Sequence, residues 1–293
     1  MSALPTHPCY LNGEFMPLAE ARISVLDRGF LFGDGVYEVV PVYGGRLFRA
    51  EDHLKRLARS LAQAQLPNPH DDAIWLALMA QTVEFCARHT DAQDQLLYLQ
   101  VTRGVAPERQ LVIPAEAVPT VFIMANPHQP PTAATRHHGI KAVTAHDFRW
   151  ERGTLKTTSM LGNVLARQMA TEQDAAETLM IHDGHLTEGA SSNVWVVLED
   201  ALVTPPPGEH VLPGVRLQLL RELCEEEGIA CNQRPVSEAE LSMATEVIIS
   251  SAGREILPVT TLDGQPVGHG AGRGKPGPVF ARLYEAYQRA KRA

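Results

Sequence analysis

The chain has 293 residues, more than a single hydrophobic core usually supports, so its length predicts two domains. Its 44% apolar and 20% charged residues are typical of a globular protein, and no run approaches the roughly 20 consecutive apolar residues that a membrane span requires. A formal net charge of −8, without a stripe of Lys and Arg, argues against a nucleic-acid partner. The first nine residues lack the pattern of a secretory signal, which favours a cytoplasmic protein.

Residues 1–125 predict a smaller domain of mixed α and β structure. Apolar residues recur at helical spacing in two segments, and β-branched runs predict strands. Pro41 lies within one strand and indicates an edge or a bulge, and Gly44 with Gly45 predicts a hairpin turn after it. In chain order the predicted elements are short strands and turns within 10–31, a strand at 36–43, helices at 51–66 and 71–89, and strands at 96–103 and 120–125.

The stretch 126–132 reads NPHQPPT and is too rich in proline to continue a helix or a strand, so it predicts a linker. Residues 133–293 are assigned to a second, larger domain of mixed α and β structure. The glycine-rich run 268–277 predicts a loop, because no strand precedes it and its prolines disfavour a phosphate-binding helix. The predicted elements are strands at 140–145, 178–181, 186–198 and 246–250 and helices at 160–172, 214–227 and 279–289.

Cysteine and histidine spacing argues against a metal centre. The four cysteines are scattered without a CxxC pair, so neither a disulfide framework nor a zinc site is expected. The twelve histidines show no HExxH motif. No metal is therefore expected, and the candidate chemistry lies with amines and carboxylates.

Lysine is scarce, which narrows the search for a reactive amine. A partly desolvated lysine can become a neutral nucleophile, whereas arginine never loses its proton. Lys156 lies in a small, hydroxyl-rich run just before a predicted helix, and a surface lysine is the alternative interpretation. Glu188 offers a carboxylate at a strand end, followed by small hydroxyl residues, with a polar turn as the alternative. The chain's lysines are Lys55, Lys141, Lys156, Lys275 and Lys291.

Three separate segments carry a resemblance to a known family. Residues 27–38 read DRGFLFGDGVYE, residues 153–159 read GTLKTTS and residues 187–193 read TEGASSN. In this order they resemble the signature blocks of fold-type IV pyridoxal-phosphate aminotransferases, and the likeness runs from Tyr10 to about Tyr287. The resemblance implies an α/β (mixed α+β) fold of two domains, with pyridoxal 5′-phosphate in the cleft between them, and a homodimer in which each site borrows loops from its neighbour.

The resemblance also implies roles for single residues. Lys156 would be the Schiff-base residue and the base that moves a proton at the substrate Cα, and Glu188 would bond the pyridine nitrogen. Ala252 stands where the family often has Thr, and the Ser251 hydroxyl would compensate. The implied cofactor-binding residues are Arg56, Lys156, Glu188, Ser192, Asn193, Leu212, Gly214, Val215, Arg216, Ser251 and Ala252, with Arg56 and the backbone of 214–216 on the phosphate.

Two segments most resemble the D-amino-acid branch of the family: residues 27–38, and Gln100–Gly104, which read QVTRG. That branch grips the substrate carboxylate with a Tyr, which Tyr37 matches, and with an Arg and a His. Here Glu108 and Gln110 stand at those two positions. Arginines that could replace them are Arg109, Arg28 and Arg254.

The predicted function is therefore transamination between a D-amino acid, D-alanine or D-glutamate, and a 2-oxo acid such as 2-oxoglutarate or pyruvate. A branched-chain L-amino-acid aminotransferase and an aminodeoxychorismate lyase are the nearest alternatives, because the resemblance gives them the same lysine and glutamate. A non-catalytic protein that kept the fold and the cofactor is an alternative from another class.

Overall fold

The computed structural model describes residues 5–292, which divide into two compact units. The first unit comprises the chain up to Gln129 together with Leu155–Met160, and the second comprises Pro130–Thr154 and the residues from Leu161 onward. The domain boundaries drawn from the sequence stay a prediction. The compact units differ from them because Leu155–Met160 belongs to the first unit. Among the helices described, none is both long and apolar enough to cross a membrane.

The first unit is built on a six-stranded sheet with the strand order β2-β1-β6-β5-β3-β4. All neighbouring strands are antiparallel. The two-residue strand β4 lies at the edge. The strand β3, which contains Pro41, is its inner neighbour and pairs with β5 in continuous register, so the predicted edge or bulge at Pro41 is wrong. Gly44 and Gly45 make the predicted hairpin turn with positive φ angles. Its elements are β1 Pro8–Leu11, β2 Glu14–Pro17, α1 Arg28–Phe32, β3 Gly35–Tyr43, β4 Arg46–Leu47, α2 Ala50–Gln63, α3 Asp72–Thr90, β5 Gln95–Thr102 and β6 Thr120–Pro127.

One face of this sheet packs against α2 and α3, and the other remains half-buried. Leu54, Leu57 and Leu61 recur at helical spacing and bury one side of α2. Burial alternates along β5, because successive side chains of a strand point to opposite faces. Tyr98 and Gln100 belong to the half-buried face.

The second unit is built on a nine-stranded mixed sheet with the order β12-β11-β10-β13-β14-β7-β8-β9, and β15 pairs with β14. The pairs β11–β12, β14–β7 and β7–β8 are parallel. Its elements are α4 Ala133–His138, β7 Ile140–His146, α5 Leu161–Glu172, β8 Glu177–His182, β9 His185–Gly189, β10 Asn193–Leu198, β11 Ala201–Thr204, α6 Val215–Glu227, β12 Cys231–Gln233, α7 Glu238–Met243, β13 Glu246–Ser251, β14 Glu255–Leu262, β15 Gln265–Pro266 and α8 Pro278–Ala290.

The predicted mixture of α and β structure is confirmed, but three further local predictions are wrong. Residues 28–31, predicted as short strands and turns, form the helix α1, and the first two residues of the predicted linker belong to β6. The third concerns a predicted strand. Residues 186–198 form β9 and β10 and not a single strand, because the chain bends at Ala190–Ser192. The Gly189 N–H donates to the Ser192 carbonyl at 2.7 Å, and the Ser192 hydroxyl donates to Glu177 at 2.9 Å. The strand β14 was not predicted, since Pro258 interrupts its apolar pattern.

Glu255 joins three elements of the second unit through a fully buried carboxylate. It accepts hydrogen bonds from Arg136 of α4 at 2.9 Å, from Lys291 at 2.6 Å and from Gln288 of α8 at 3.0 Å. Burial alone would raise the pKa of Glu255, but the hydrogen bond and charge of Lys291, with Gln288 and Arg136, hold it below the usual value. The carboxylate is therefore ionised and anchors the C-terminal helix.

We expect Glu255→Ala to lower the free energy of unfolding at pH 7 by about 3 kcal/mol, because it leaves buried cations without their anion. Stabilisation by a carboxyl group with a lowered folded-state pKa is complete above the pKa of the unfolded chain and is lost as pH falls through the folded-state pKa. The difference between parent and variant should therefore shrink below about pH 4. Urea unfolding at several pH values measures both effects.

The matched control is Glu285→Ala, which removes an exposed carboxylate from the same C-terminal helix. A Glu255→Ala protein that unfolds at the same urea concentration as the Glu285→Ala protein contradicts the role given to the buried network.

Candidate active site

Lys156 is positioned by strand-like pairing of its backbone with β3. The Tyr37 N–H donates to the Lys156 carbonyl at 3.1 Å, and the Thr158 N–H donates to the Gly35 carbonyl at 3.0 Å. The side chain is half-buried, and its Nζ lies 4.1 Å from the centroid of the Tyr37 ring. The structure therefore brings together the lysine and the tyrosine that the sequence selected separately.

Arg56 is buried and held in a fixed orientation by Glu38. Its Nε and Nη2 donate to the two carboxylate oxygens at 2.7 Å each, and His53 Nδ1 lies 2.7 Å from Oε2. Burial would raise the pKa of Glu38, but the charge and hydrogen bonds of Arg56, with His53, lower it well below the usual value. A two-pronged pairing of this kind fixes the guanidinium plane. Arg56 was predicted from the sequence, whereas its partners Glu38 and His53 were not.

Arg28 has a structural role in the first unit. Its Nε donates to Asp34 at 2.8 Å and its Nη1 to the Gln110 carbonyl at 2.6 Å, so it ties the loop at 110–112 to α1. Asp34 also accepts from Arg103 at 2.8 Å. Burial would raise the pKa of Asp34, but Arg103 and Arg28 lower it. The hypothesis that Arg28 meets the substrate is not supported by these bonds.

Glu188 lies on β9 and is joined to Arg149, whose side chain is only 8% exposed and which no sequence motif had indicated. Its Oε1 accepts from Arg149 Nη1 at 2.6 Å, and its Oε2 accepts from the Leu212 N–H at 2.8 Å. Asp147 holds the other side of Arg149, with bonds of 2.9 Å to Nε and 2.7 Å to Nη2. Burial would lower the pKa of Arg149, but the bonds from Asp147 and the charge of Glu188 raise it.

The turn before α6 is packed tightly against β10. Asn193 Nδ2 donates to the Leu212 carbonyl at 2.9 Å, so Leu212 connects Glu188 to Asn193 through its two backbone groups. A Cβ atom on Gly214 would lie 1.9 Å from Asn193 Oδ1, which explains the glycine. Val215 begins the helix, and Arg216 is buried with its Nε 3.2 Å from the Tyr287 hydroxyl. Four predicted residues, Asn193, Leu212, Gly214 and Val215, are thus neighbours.

A second group of predicted residues surrounds the buried carboxylate of Glu177. Ser192 Oγ donates to it at 2.9 Å and Arg254 Nη1 at 3.2 Å, while Arg254 also donates to the Ala176 carbonyl. Ser251 Oγ accepts from the Arg254 N–H at 3.3 Å, and Ala252 follows directly. Arg254 is therefore engaged by Glu177. Arg109 differs, because it is exposed and lies over the Phe32 ring at 5.2 Å.

Comparison with known proteins gives these residues a family. The family model of the class IV amino-transferases matches residues 35–262. A D-alanine aminotransferase from Bacillus licheniformis is 38% identical over 277 residues, 94% of each chain, and one from Staphylococcus haemolyticus is 34% identical over 280 residues, 96% of each chain. The chain belongs to the class IV aminotransferases, as the sequence blocks predicted.

Solved structures agree on the fold. A hypothetical aminotransferase from Mycobacterium tuberculosis, solved in a PLP-bound form, matches with a TM-score of 0.83 and 25% identity, covering 97% of this chain and 98% of that one. A branched-chain amino acid aminotransferase from Escherichia coli has a TM-score of 0.86 at 24% identity and covers 97% and 94%. At that identity the second likeness shows the fold and nothing more.

We expect Arg149→Met to lower the free energy of unfolding by about 3 kcal/mol, because it leaves Asp147 and Glu188 buried without the cation between them. The matched control is Arg152→Met in the same loop, which removes an exposed arginine and should change the value by less than about 0.5 kcal/mol. Urea unfolding of the protein without added cofactor measures both. Equal midpoints for the two variants would mean that Arg149 does not stabilise this site.

Proposed function

We propose that this aminotransferase depends on pyridoxal 5′-phosphate and exchanges an amino group between a D-amino acid, D-alanine or D-glutamate, and a 2-oxo acid such as 2-oxoglutarate or pyruvate. The D-alanine aminotransferases that match nearly the whole chain support the substrate class. The PLP-bound form of the related structure supports the cofactor. The observation that carries the proposal is the contact between the Lys156 amine and the Tyr37 ring.

The residues present fit pyridoxal phosphate. The cofactor supplies, when bound, an aldehyde that condenses with an amine and a ring that withdraws electrons. Lys156 offers the amine, and Glu188 offers a carboxylate fixed by Arg149 and by the Leu212 N–H. The tight turn at Gly214 precedes the N-terminus of α6, where backbone amides favour an anion such as a phosphate. Arg56 adds a guanidinium that Glu38 holds rigidly.

The roles of the chain's own residues follow from this fit. Lys156 would hold the cofactor through Nζ and, once released by the substrate amine, would move a proton at the substrate Cα. Glu188 would accept a hydrogen bond from the ring nitrogen and keep it protonated, because an opposite charge within a few ångströms favours the charged form. Arg149 would keep Glu188 in place for that bond. Phosphate contacts would come from Arg56 and from the backbone of residues 214–216.

The remaining predicted cofactor residues lie in the second unit and would support the residues that bind the cofactor there. Asn193 would orient the Leu212 backbone, with which it shares a hydrogen bond. Ser192 and Ser251 would present hydroxyl groups beside Ala252, near the Glu177 carboxylate that holds Arg254. These assignments rest on the resemblance together with the bonds within the second unit.

The experiment that tests this function combines turnover with covalent labelling. The protein loaded with pyridoxal phosphate should convert D-alanine and 2-oxoglutarate to pyruvate and glutamate, and L-leucine should give little product. Borohydride reduction followed by peptide mapping should label Lys156. Lys156→Ala should lose the label and reduce kcat at least about 1000-fold, because no other residue supplies the amine.

Lys141→Ala is the matched control, since it removes an exposed lysine that pairs with Asp174. It should keep both the label and the activity. A label on any peptide other than the one with Lys156 contradicts the cofactor assignment, and turnover of L-leucine alone contradicts the substrate class.

We also propose that the protein is a homodimer and that exposed apolar side chains of the first unit meet a second copy of the chain. Val25, Phe30, Leu111, Val112 and Val118 are 66–84% exposed. Arg28 joins the two segments that carry four of them, through bonds to the Gln110 and Leu111 carbonyls. An exposed cluster of this kind marks an interaction surface.

We expect a dimer mass in sedimentation equilibrium, and a monomer for the double variant Leu111→Glu with Val118→Glu, because two buried charges would oppose association. The matched control is Met243→Glu, which places a charge on an exposed apolar residue of the second unit. Parent protein that sediments as a monomer at micromolar concentration contradicts the proposal.

A further inference from the structure

Two of the three candidate arginines for the substrate carboxylate are already engaged within the protein, and the third stays a prediction. Arg28 is bonded to Asp34 and to backbone carbonyls, and Arg254 is bonded to Glu177. Arg109 is exposed and rests on the Phe32 ring. The adjoining Glu108 carries the wrong charge for the task. Neutral donors are available beside Lys156, whose Nζ lies 4.1 Å from the centroid of the Tyr37 ring.

Three polar side chains lie together on the half-buried face of the six-stranded sheet. Tyr37 of β3 and Gln100 of β5 are direct partners in the antiparallel register, so their side chains share a face. The ring centroids of Tyr37 and Tyr98 are 5.6 Å apart. The Tyr98 hydroxyl donates to Gln100 Oε1 at 2.6 Å. We call these residues the Tyr37–Tyr98–Gln100 cluster.

Within the cluster the hydrogen bond of Tyr98 orients the Gln100 amide. Burial, and then the nearby Tyr37, raises the pKa of Tyr98 to about 12, so its hydroxyl keeps its proton and donates at neutral pH. Because Oε1 is the acceptor of this bond, Nε2 points its two N–H groups elsewhere. In the described part of the chain, neither Gln100 Nε2 nor the Tyr37 hydroxyl forms a hydrogen bond with another residue.

These donors lie where a substrate carboxylate would be. The reacting carbon must come close to Lys156, which moves a proton there, and the carboxylate is bonded directly to that carbon. Lys156 Nζ lies 4.1 Å from the Tyr37 ring centroid, and Gln100 is opposite Tyr37 across the strands. A carboxylate accepts strong, charge-assisted hydrogen bonds from neutral donors.

We propose that Gln100, oriented by Tyr98, binds the α-carboxylate of the amino acid and of the 2-oxo acid together with Tyr37. This inference rests on the proposed aminotransferase function and adds Gln100 as a substrate-binding residue and Tyr98 as a positioning residue. The cluster thereby takes the place of the Arg and the His that bind the substrate carboxylate in the D-amino-acid branch, at whose positions this chain has Glu108 and Gln110.

Gln100→Glu separates binding from positioning. The variant retains an oxygen that accepts from Tyr98, but it loses both N–H donors and adds a negative charge. We expect the dissociation constant of propionate, measured by calorimetry on the cofactor-loaded protein, to rise roughly 10- to 100-fold, since a bond to a charged group is lost. The KM for 2-oxoglutarate should rise by a similar factor with a smaller change in kcat. Binding of the uncharged propionamide should change little.

Three further variants complete the experiment. Tyr98→Phe removes the bond that orients the amide and should raise the same constants less than Gln100→Glu does. Gln81→Glu adds the same charge on the exposed face of α3 and should leave all of them unchanged. If Gln100→Glu does not fold, Gln100→Met keeps the volume, removes the donors and should show the same rise.

The outcomes distinguish this inference from the proposed function. If Gln100→Glu binds propionate and 2-oxoglutarate as the parent does, the inference is wrong, while turnover of D-alanine by the parent leaves the function intact. A parent that binds propionate through Gln100 but transaminates no amino acid overturns the proposed function and supports the carboxylate site. Equal weakening of propionate and propionamide indicates a distorted face and overturns the role of the Gln100 donors.

Discussion

The ion pairs of the Arg149 guanidinium hold together the residues around Glu188 in the second unit. The guanidinium lies between Asp147 and Glu188, and it also donates to the His210 carbonyl at 3.2 Å. Burying a charge is unfavourable unless it is paired and hydrogen-bonded, and here each of the two carboxylates makes short hydrogen bonds to the shared guanidinium. Glu188 is consequently held in a single place on β9. Its second oxygen receives the Leu212 N–H, which ties the turn before α6 to the same carboxylate.

In the first unit, Arg56 is likewise held by hydrogen bonds to a buried carboxylate. There the buried carboxylate of Glu38 receives both the arginine and His53, so the cation proposed to meet a phosphate is oriented before any ligand binds. Preorganised charges of this kind lower the cost of binding an anion. Lys156 is placed differently, through backbone pairing with β3, and its side chain rests on the Tyr37 ring. The position of Lys156 is therefore set by the six-stranded sheet to which β3 belongs.

Sequence patterns predicted the longer elements well. Helices α2, α3, α5, α6 and α8 and strands β3, β5, β6 and β13 begin and end within a few residues of their predicted bounds. The exceptions have identifiable causes. Side-chain bonds to Glu177 bend the chain between β9 and β10, and Pro258 hides the buried strand β14. The periodicity of apolar residues along a short segment predicts neither this bend nor the strand with which a proline-containing strand pairs.

The family, the mixed α and β structure and the candidates Lys156, Glu188 and Arg56 could all be predicted from the amino-acid sequence, because scarce residue types and ordered motifs are visible without coordinates. The partners of these residues could not be predicted, because they depend on how the chain folds. Arg149 is 39 positions from Glu188, Arg56 is 18 positions from Glu38, and Gln100 faces Tyr37 across two strands. Hydrogen bonds act over about 3 Å, so contacts between residues far apart in the chain exist only once the strands and helices that carry them have packed.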